Sequence, residues 1–212
     1  MRKPATTDYP LLDTIRERWS PLAFDAHRPV PRETLLLLFE AARWAPSSFN
    51  DQPWRFIVGT TDADPETHRR ILETLTPRNQ AWAKNAPVLV LGLARQVFGH
   101  NGKENRFGMY DTGQAVSHLI AQATASGLHA HQMGGYDPAK ARERFAIPDE
   151  YATAAVIALG YIAPPETLED EAMREKHGNP ARPRKPLEEV MLSGAGAFGT
   201  PSPLARPAAD AD

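Results

Sequence analysis

The sequence predicts an α+β domain, a mixed sheet flanked by helices, and three observations carry that reading. Helical and strand patterns are intermingled without a regular strand-helix alternation, which disfavours a doubly wound parallel fold. Two unbroken apolar runs, PVLVLGLA at 87–94 and YATAAVIALGYI at 151–162, read as strands covered on both faces. With 212 residues, 42% of them hydrophobic, the chain has the material for one real core.

In chain order, a short helix over 14–19 delivers the segment RWSPLAF (18–24) into a Pro-interrupted turn. Helical spacing resumes at Pro31, a favoured first-turn residue, and runs through RETLLLLFEAARWA. Pro46 ends that run, because its ring cannot follow a continuing helix. RFIVG (55–59) reads as a strand, PETHRRILETL (65–75) as an amphipathic helix, and NQAWAKNAP (79–87) as the lead into the first buried strand. After the polar stretch FGHNGKEN, a long helix is expected from about Arg106 to Ser126, with Gly127 as its stop. LHAHQMGGYDP (128–138) is strand then turn, and DPAKARERFAI (137–147) is a short helix before the second buried strand. Pro, Glu and Lys dominate 163–184, which reads as a surface excursion. Past Leu192 small residues and prolines cannot bury much area, so one domain over 1–192 and a disordered Pro/Ala-rich tail over 193–212 are expected.

Composition narrows the chemistry. There are 24 Lys and Arg against 26 Asp and Glu, a formal charge of -2, so no net field recruits nucleic acid or an anionic membrane. No cysteine is present, which excludes disulfides, thiolate nucleophiles, Cys-ligated zinc and iron-sulfur clusters. The N-terminus has no apolar leader region and no run reaches the ~20 apolar residues of a membrane helix, so a cytoplasmic location is expected. A Walker A loop and a GxSxG elbow are absent.

Three groups of residues invite a functional reading. The loop SSFNDQPW (47–54) follows the interrupted helix and offers two hydroxyls plus the side-chain amides of Asn50 and Gln52, none charged at neutral pH. Such a set suits a neutral heteroaromatic with alternating donors and acceptors, the character of a flavin pyrimidine ring; it equally suits a turn whose serines and asparagine satisfy the local backbone. Arg18 with Ser20, and Arg182 with Arg184, are two small basic clusters; arginines two apart in an extended segment point the same way and could share a phosphate, or could be solvated surface charge. His129 and His131 would share one face of a strand, but no third ligand follows at a recognisable spacing, so no metal site is expected.

Taken together, RWSPLAF, APSSFNDQPWRF (45–56), QMGGYD (132–137) followed by ALGYI (158–162), and RPRKPLEEV (182–190) resemble the FMN-dependent nitroreductase family over about Ile15 to Met191. The resemblance implies a nitroreductase-like, intertwined homodimer with FMN at the subunit interface and two sites per dimer, each lined by both chains. It implies NAD(P)H as reductant, hydride passing through flavin N5 in a ping-pong cycle, and nitroaromatic or quinone-type acceptors, with no catalytic side chain required. Arg18, Trp19 and Ser20 fall on the family's N-terminal phosphate segment and Arg182 and Arg184 on its C-terminal basic pair. Pro46, Ser47, Ser48, Asn50 and Gln52 fall on its loop against the flavin, Asn79 on a ring-edge contact, and Met133, Gly134 and Gly135 on the turn near N5. The stretch 98–110 is expected to border the acceptor slot through His100, Asn101 and Phe107. In one departure, Leu22 stands where the family commonly has Lys or Arg near the flavin N1 and O2 edge. A lost cation there would lower the reduction potential or change the hydride donor. Another reductase on the same fold (enone, aldehyde, flavin or dehalogenating) and a non-enzymatic flavin-binding protein are the alternative functions.

Overall fold

The computed structural model describes residues 1–194 and 202–205. Its elements run α1 (Asp13–Arg16), α2 (Arg32–Arg43), β1 (Trp54–Thr60), α3 (Pro65–Leu72), α4 (Pro77–Ala83), β2 (Val88–Arg95), α5 (Gly108–Ala125), β3 (His129–Met133), α6 (Pro138–Phe145), β4 (Tyr151–Gly160), α7 (Glu171–Gly178) and α8 (Leu187–Val190). The chain divides into two units, Met1–Asn179 and Pro180–Asp212.

In the first unit β2 and β4 are the inner strands of a four-stranded sheet ordered β1-β2-β4-β3. Successive side chains of a strand point to opposite faces, so a continuous apolar strand feeds two cores at once. Leu89, Leu91 and Leu93 of β2 join Val156 and Ala158 of β4, Ile71 of α3 and Trp82 of α4. Val88 and Val90, on the opposite side, join Ile157, Leu159, and Leu119 and Ala123 of α5. The two apolar runs are therefore the buried strands that their composition implies.

All three strand pairings are antiparallel, which corrects the expectation of a mixed sheet. Antiparallel neighbours need the connection to return to the sheet at the end it left, and connections holding short helices achieve this as readily as a hairpin. Apolar periodicity reports burial and carries no information on strand direction.

Local chemistry sets the helix starts. Asp64, Asp137 and Asp170 accept the N–H of Thr67 (3.0 Å), Lys140 (3.0 Å) and Met173 (2.8 Å), and Pro65 and Pro138 occupy the first turn, where a missing N–H is harmless. Helix α2 ends two residues short of the expected 45. Helix α5 keeps close to its expected 106–126, and Gly127 follows it in the left-handed region at φ 74°. Helix α4 emerges inside the stretch expected only to lead into a strand, and α7 inside the expected surface excursion. Buried Trp82 anchors α4, while Met173 and His177 anchor α7.

In the second unit α8 is followed by a bond from the Ser202 N–H to the Met191 carbonyl (2.7 Å) and a 3-10 turn at Pro203–Ala205. Most of the tail expected over 193–212 lies outside the described residues. The spacing GxGxxG does occur once, at 194–199, but a helix and a turn precede it rather than the strand a dinucleotide fold requires.

Candidate flavin site

The sequence-predicted residues of the first unit gather into three local groups. In the N-terminal group, Arg18 Nη1 lies 3.4 Å from Ser20 Oγ, so guanidinium and hydroxyl stand within reach of one anion. Trp19 between them points inward and is 5% exposed; its ring meets His129 edge-on at 5.7 Å and His177 at 5.2 Å. Leu22 is buried in the core, and this accounts for the missing cation: a Lys or Arg side chain there would carry its charge into a low-dielectric interior.

The second group is the loop from Pro46 to Gln52. The Ser47 hydroxyl accepts the Gln52 N–H (3.0 Å), and the Ser48 N–H donates to Asp111 Oδ2 (3.0 Å), a carboxylate buried in the first turn of α5. A carboxylate at a helix N-terminus is favoured by the helix dipole, so α5 grips the loop with a fixed charge. Phe49, Asn50 and Gln52 all sit in the left-handed region, at φ 55°, 52° and 48°. That conformation costs roughly 1 kcal/mol or more for a residue with a Cβ, and Asn tolerates it best. Gln52 Nε2 approaches the Asn50 side-chain oxygen (3.2 Å), leaving both amides at the open side of a braced, strained loop.

The third group joins Asn79 to the glycine turn. Asn79 Nδ2 donates to the Gly135 carbonyl (3.0 Å), and the Thr76 N–H donates to the same oxygen (2.9 Å). A Cβ on Gly135 would stand 2.7 Å from Asn79 Nδ2 and force that amide to shift, whereas nothing lies within 4 Å of a Cβ on Gly134. Open space beside Gly134 leaves room for a flat ligand to approach the backbone. Met133 is buried in the core, and anchors the turn.

Histidines connect the first and third groups, a role the sequence reading missed. His131 Nδ1 donates to the Pro21 carbonyl (2.7 Å), which fixes its tautomer, while its ring packs on Trp82 of α4 at 4.7 Å. One side chain on β3 thereby holds the RWSP segment and the helix carrying Asn79. His177 of α7 accepts the N–H groups of Leu22 (3.1 Å) and Ala23 (3.2 Å) at Nδ1 and donates from Nε2 to the Ala163 carbonyl (3.2 Å). It is a neutral imidazole with its ring nitrogens satisfied. Burial pushes the pKa of His131 and His177 down, and that of His129 to about 4. The alternation in HAH signalled a shared strand face, but only its surroundings show that the face is a joint. Among the described residues no group of three or more His, Asp or Glu could hold a metal ion. Nor does any helix among them have the length and apolarity to cross a membrane.

Of the expected slot residues, His100 and Asn101 are in contact (2.9 Å), and Phe107 lies under the Arg106 guanidinium at 4.7 Å. In the second unit Arg182 and Arg184 flank Pro183 in an extended stretch before α8, and Arg184 Nη1 donates to the Pro183 carbonyl (2.8 Å).

An antiparallel α+β sheet that carries a glycine turn and a braced neutral loop is an arrangement shared with flavin-containing oxidoreductases. The chain belongs to the Nitroreductase family, whose model matches residues 15–161. A crystal structure described as an oxidoreductase containing FMN is 35% identical with a TM-score of 0.82, covering 91% of this chain and 96% of that one. A protein from Desulfovibrio desulfuricans solved in complex with FMN is 26% identical with a TM-score of 0.68, covering 90% and 100%. An NADH dehydrogenase of Thermus thermophilus is 30% identical over 196 residues, 77% of this chain and 86% of that protein.

Proposed function

We propose that the protein is an FMN-dependent NAD(P)H oxidoreductase that reduces nitroaromatic or quinone-type acceptors in two half-reactions sharing one slot. The carrying observation is the loop at 47–52: three residues held in the left-handed region and braced by a buried carboxylate, with the exposed Asn50 and half-exposed Gln52 pairing their uncharged amides. Such strain is retained where a ligand uses the resulting shape. FMN, when bound, supplies the hydride acceptor and donor of the cycle. Arg18 and Ser20 hold its phosphate, Asn50, Gln52 and Asn79 bind and orient its ring edge, and the Gly134–Gly135 turn admits it close to the backbone. Arg182 and Arg184 keep the anion-binding role that the resemblance implies. No side chain need transfer a proton, which agrees with histidines held neutral and engaged in bracing.

The working unit of the proposal is a homodimer. Leu12, Ile15, Leu36, Leu37, Trp44 and Tyr110 are exposed on α1, α2 and α5, Trp44 at 72%. Between these helices lies a shallow groove of about 350 Å³ lined by Ala41, Trp44, His118 and Ala121. Exposed apolar side chains beside such a groove support pairing with a second copy. A second copy would also cover the helix that braces the flavin loop.

Anaerobic absorbance titration of the purified protein with FMN, then with NADH and NADPH, tests the reading. A flavin spectrum bleached by a nicotinamide and restored by a nitroarene or quinone is expected. A protein refractory to FMN would overturn it. Light scattering should give a dimer, and a flavin-loaded monomer would remove the two-chain site.

A further inference from the structure

Phe49 is 80% exposed, although the chain holds it in the left-handed region. Its ring meets Phe98 edge-on with centroids 5.5 Å apart and His100 at 5.3 Å, while Phe98 and His100 lie 5.3 Å apart, so the three rings form one cluster. Two polar bonds bind the loops that carry them: the Gly99 N–H donates to Asp51 Oδ1 (2.7 Å) and Asn105 Nδ2 to Asp51 Oδ2 (3.5 Å). The cluster is thus held in place from below and left open above.

The hydrogen bonds also fix the tautomer of His100. Asn101 Oδ1 accepts the Lys103 N–H (2.9 Å), which orients the amide so that Nδ2 faces His100 Nε2 at 2.9 Å. An amide NH2 only donates, so Nε2 is the acceptor and the neutral ring carries its proton on Nδ1. The cluster therefore combines two aromatic faces with one N–H donor.

We propose that Phe49, Phe98 and His100 are the acceptor platform of this protein, selecting planar cyclic acceptors whose exocyclic nitro or quinone oxygen accepts the His100 N–H. The proposal rests on the function proposed above and deepens it. Phe49 and Phe98 supply stacking, His100 supplies the polar end, and Asn101 acts as a positioning residue by setting the tautomer.

The test is isothermal titration of the oxidised, FMN-loaded protein with 2-naphthoate, a planar ligand that is not reduced, beside steady-state kinetics with a quinone and with ferricyanide, which cannot stack. Phe49→Ala and Phe98→Ala should each weaken 2-naphthoate binding and raise the quinone KM by about five- to tenfold, as expected for a lost aromatic pair. For Phe98→Ala, outside the flavin loop, the ferricyanide KM should move by less than about twofold on the same scale. His100→Phe, which keeps a ring and removes the donor, should raise the quinone KM by about fivefold, the worth of one neutral hydrogen bond. Should Phe49→Ala shed its flavin, Phe98→Ala, outside the flavin loop, decides the matter. A wild type that takes up no FMN overturns the proposed function. A flavin-loaded protein whose variants treat 2-naphthoate and both acceptors as the wild type does overturns the platform alone.

Discussion

Two polar regions of the first unit solve opposite problems. Around His177 and His131, imidazoles are buried and neutral, and each fixes loop backbone by hydrogen bonds that leave no choice of tautomer. At 47–52, by contrast, the backbone is strained, and there and at 98–105 the side chains of Phe49, Asn50 and His100 are exposed. The first region turns its polar groups inward to join distant segments, and the second uses them to brace two loops whose rings stay exposed. That difference separates scaffold from site more sharply than residue type does, since histidine, asparagine and aromatic rings occur in both.

The contrast breaks first at His177. Replacing it with alanine strands the buried N–H groups of Leu22 and Ala23, at about 1 to 3 kcal/mol each, so urea unfolding should show a loss of roughly 2 to 6 kcal/mol. A smaller loss would mean that the segment is held by something else.

Acid probes the same region. His129 titrates near 4 when folded and near 6.5 when unfolded, so only the unfolded chain gains a proton between those values. Stability is full above pH 6.5 and declines as the pH falls toward 4, by at most roughly 3 kcal/mol from this residue at about 1.4 kcal/mol per pH unit. His131, His177 and His68, also lowered chiefly by burial, act in the same direction. Denaturation midpoints between pH 7 and 4 should show the decline, and His129→Phe should make it shallower.

On the functional side, Arg18→Ala should weaken FMN retention by about 1 to 3 kcal/mol, the worth of a charged hydrogen bond, without a matching fall in apoprotein stability. Equal flavin affinity by fluorescence titration would refute the phosphate role. A gentler probe is Phe49→Gly, which relieves a left-handed residue with a Cβ but forfeits its ring contacts with Phe98 and His100; the two effects oppose, so stability should change by under about 1 kcal/mol while acceptor KM worsens. Smallest is Thr112→Val: its buried hydroxyl has no hydrogen-bond partner, so the change should be neutral or stabilising by under about 1 kcal/mol.

Much of the scaffold was legible because its signals are local. The two apolar strands, the Asp-Pro helix starts and the Gly127 stop each depend on a few neighbouring residues. The antiparallel sheet was not, because direction is a property of pairs of strands. Helix α7 was hidden by its polarity, since Met173 and His177 are too few to set a period. In the site, Ser47, Ser48, Asn50 and Gln52 stood out as a neutral polar set, whereas Asp111, which grips them, lies 63 residues from Ser48.

The sequence alone determined which segments are apolar enough to be buried, where the strongly periodic helices α3, α5 and α6 lie, and which family the chain resembles, since these follow from side-chain chemistry over short distances. Tertiary structure decided which polar groups are consumed in bracing and which remain open to a ligand. A histidine or phenylalanine acquires either role only from partners brought to it from distant parts of the chain.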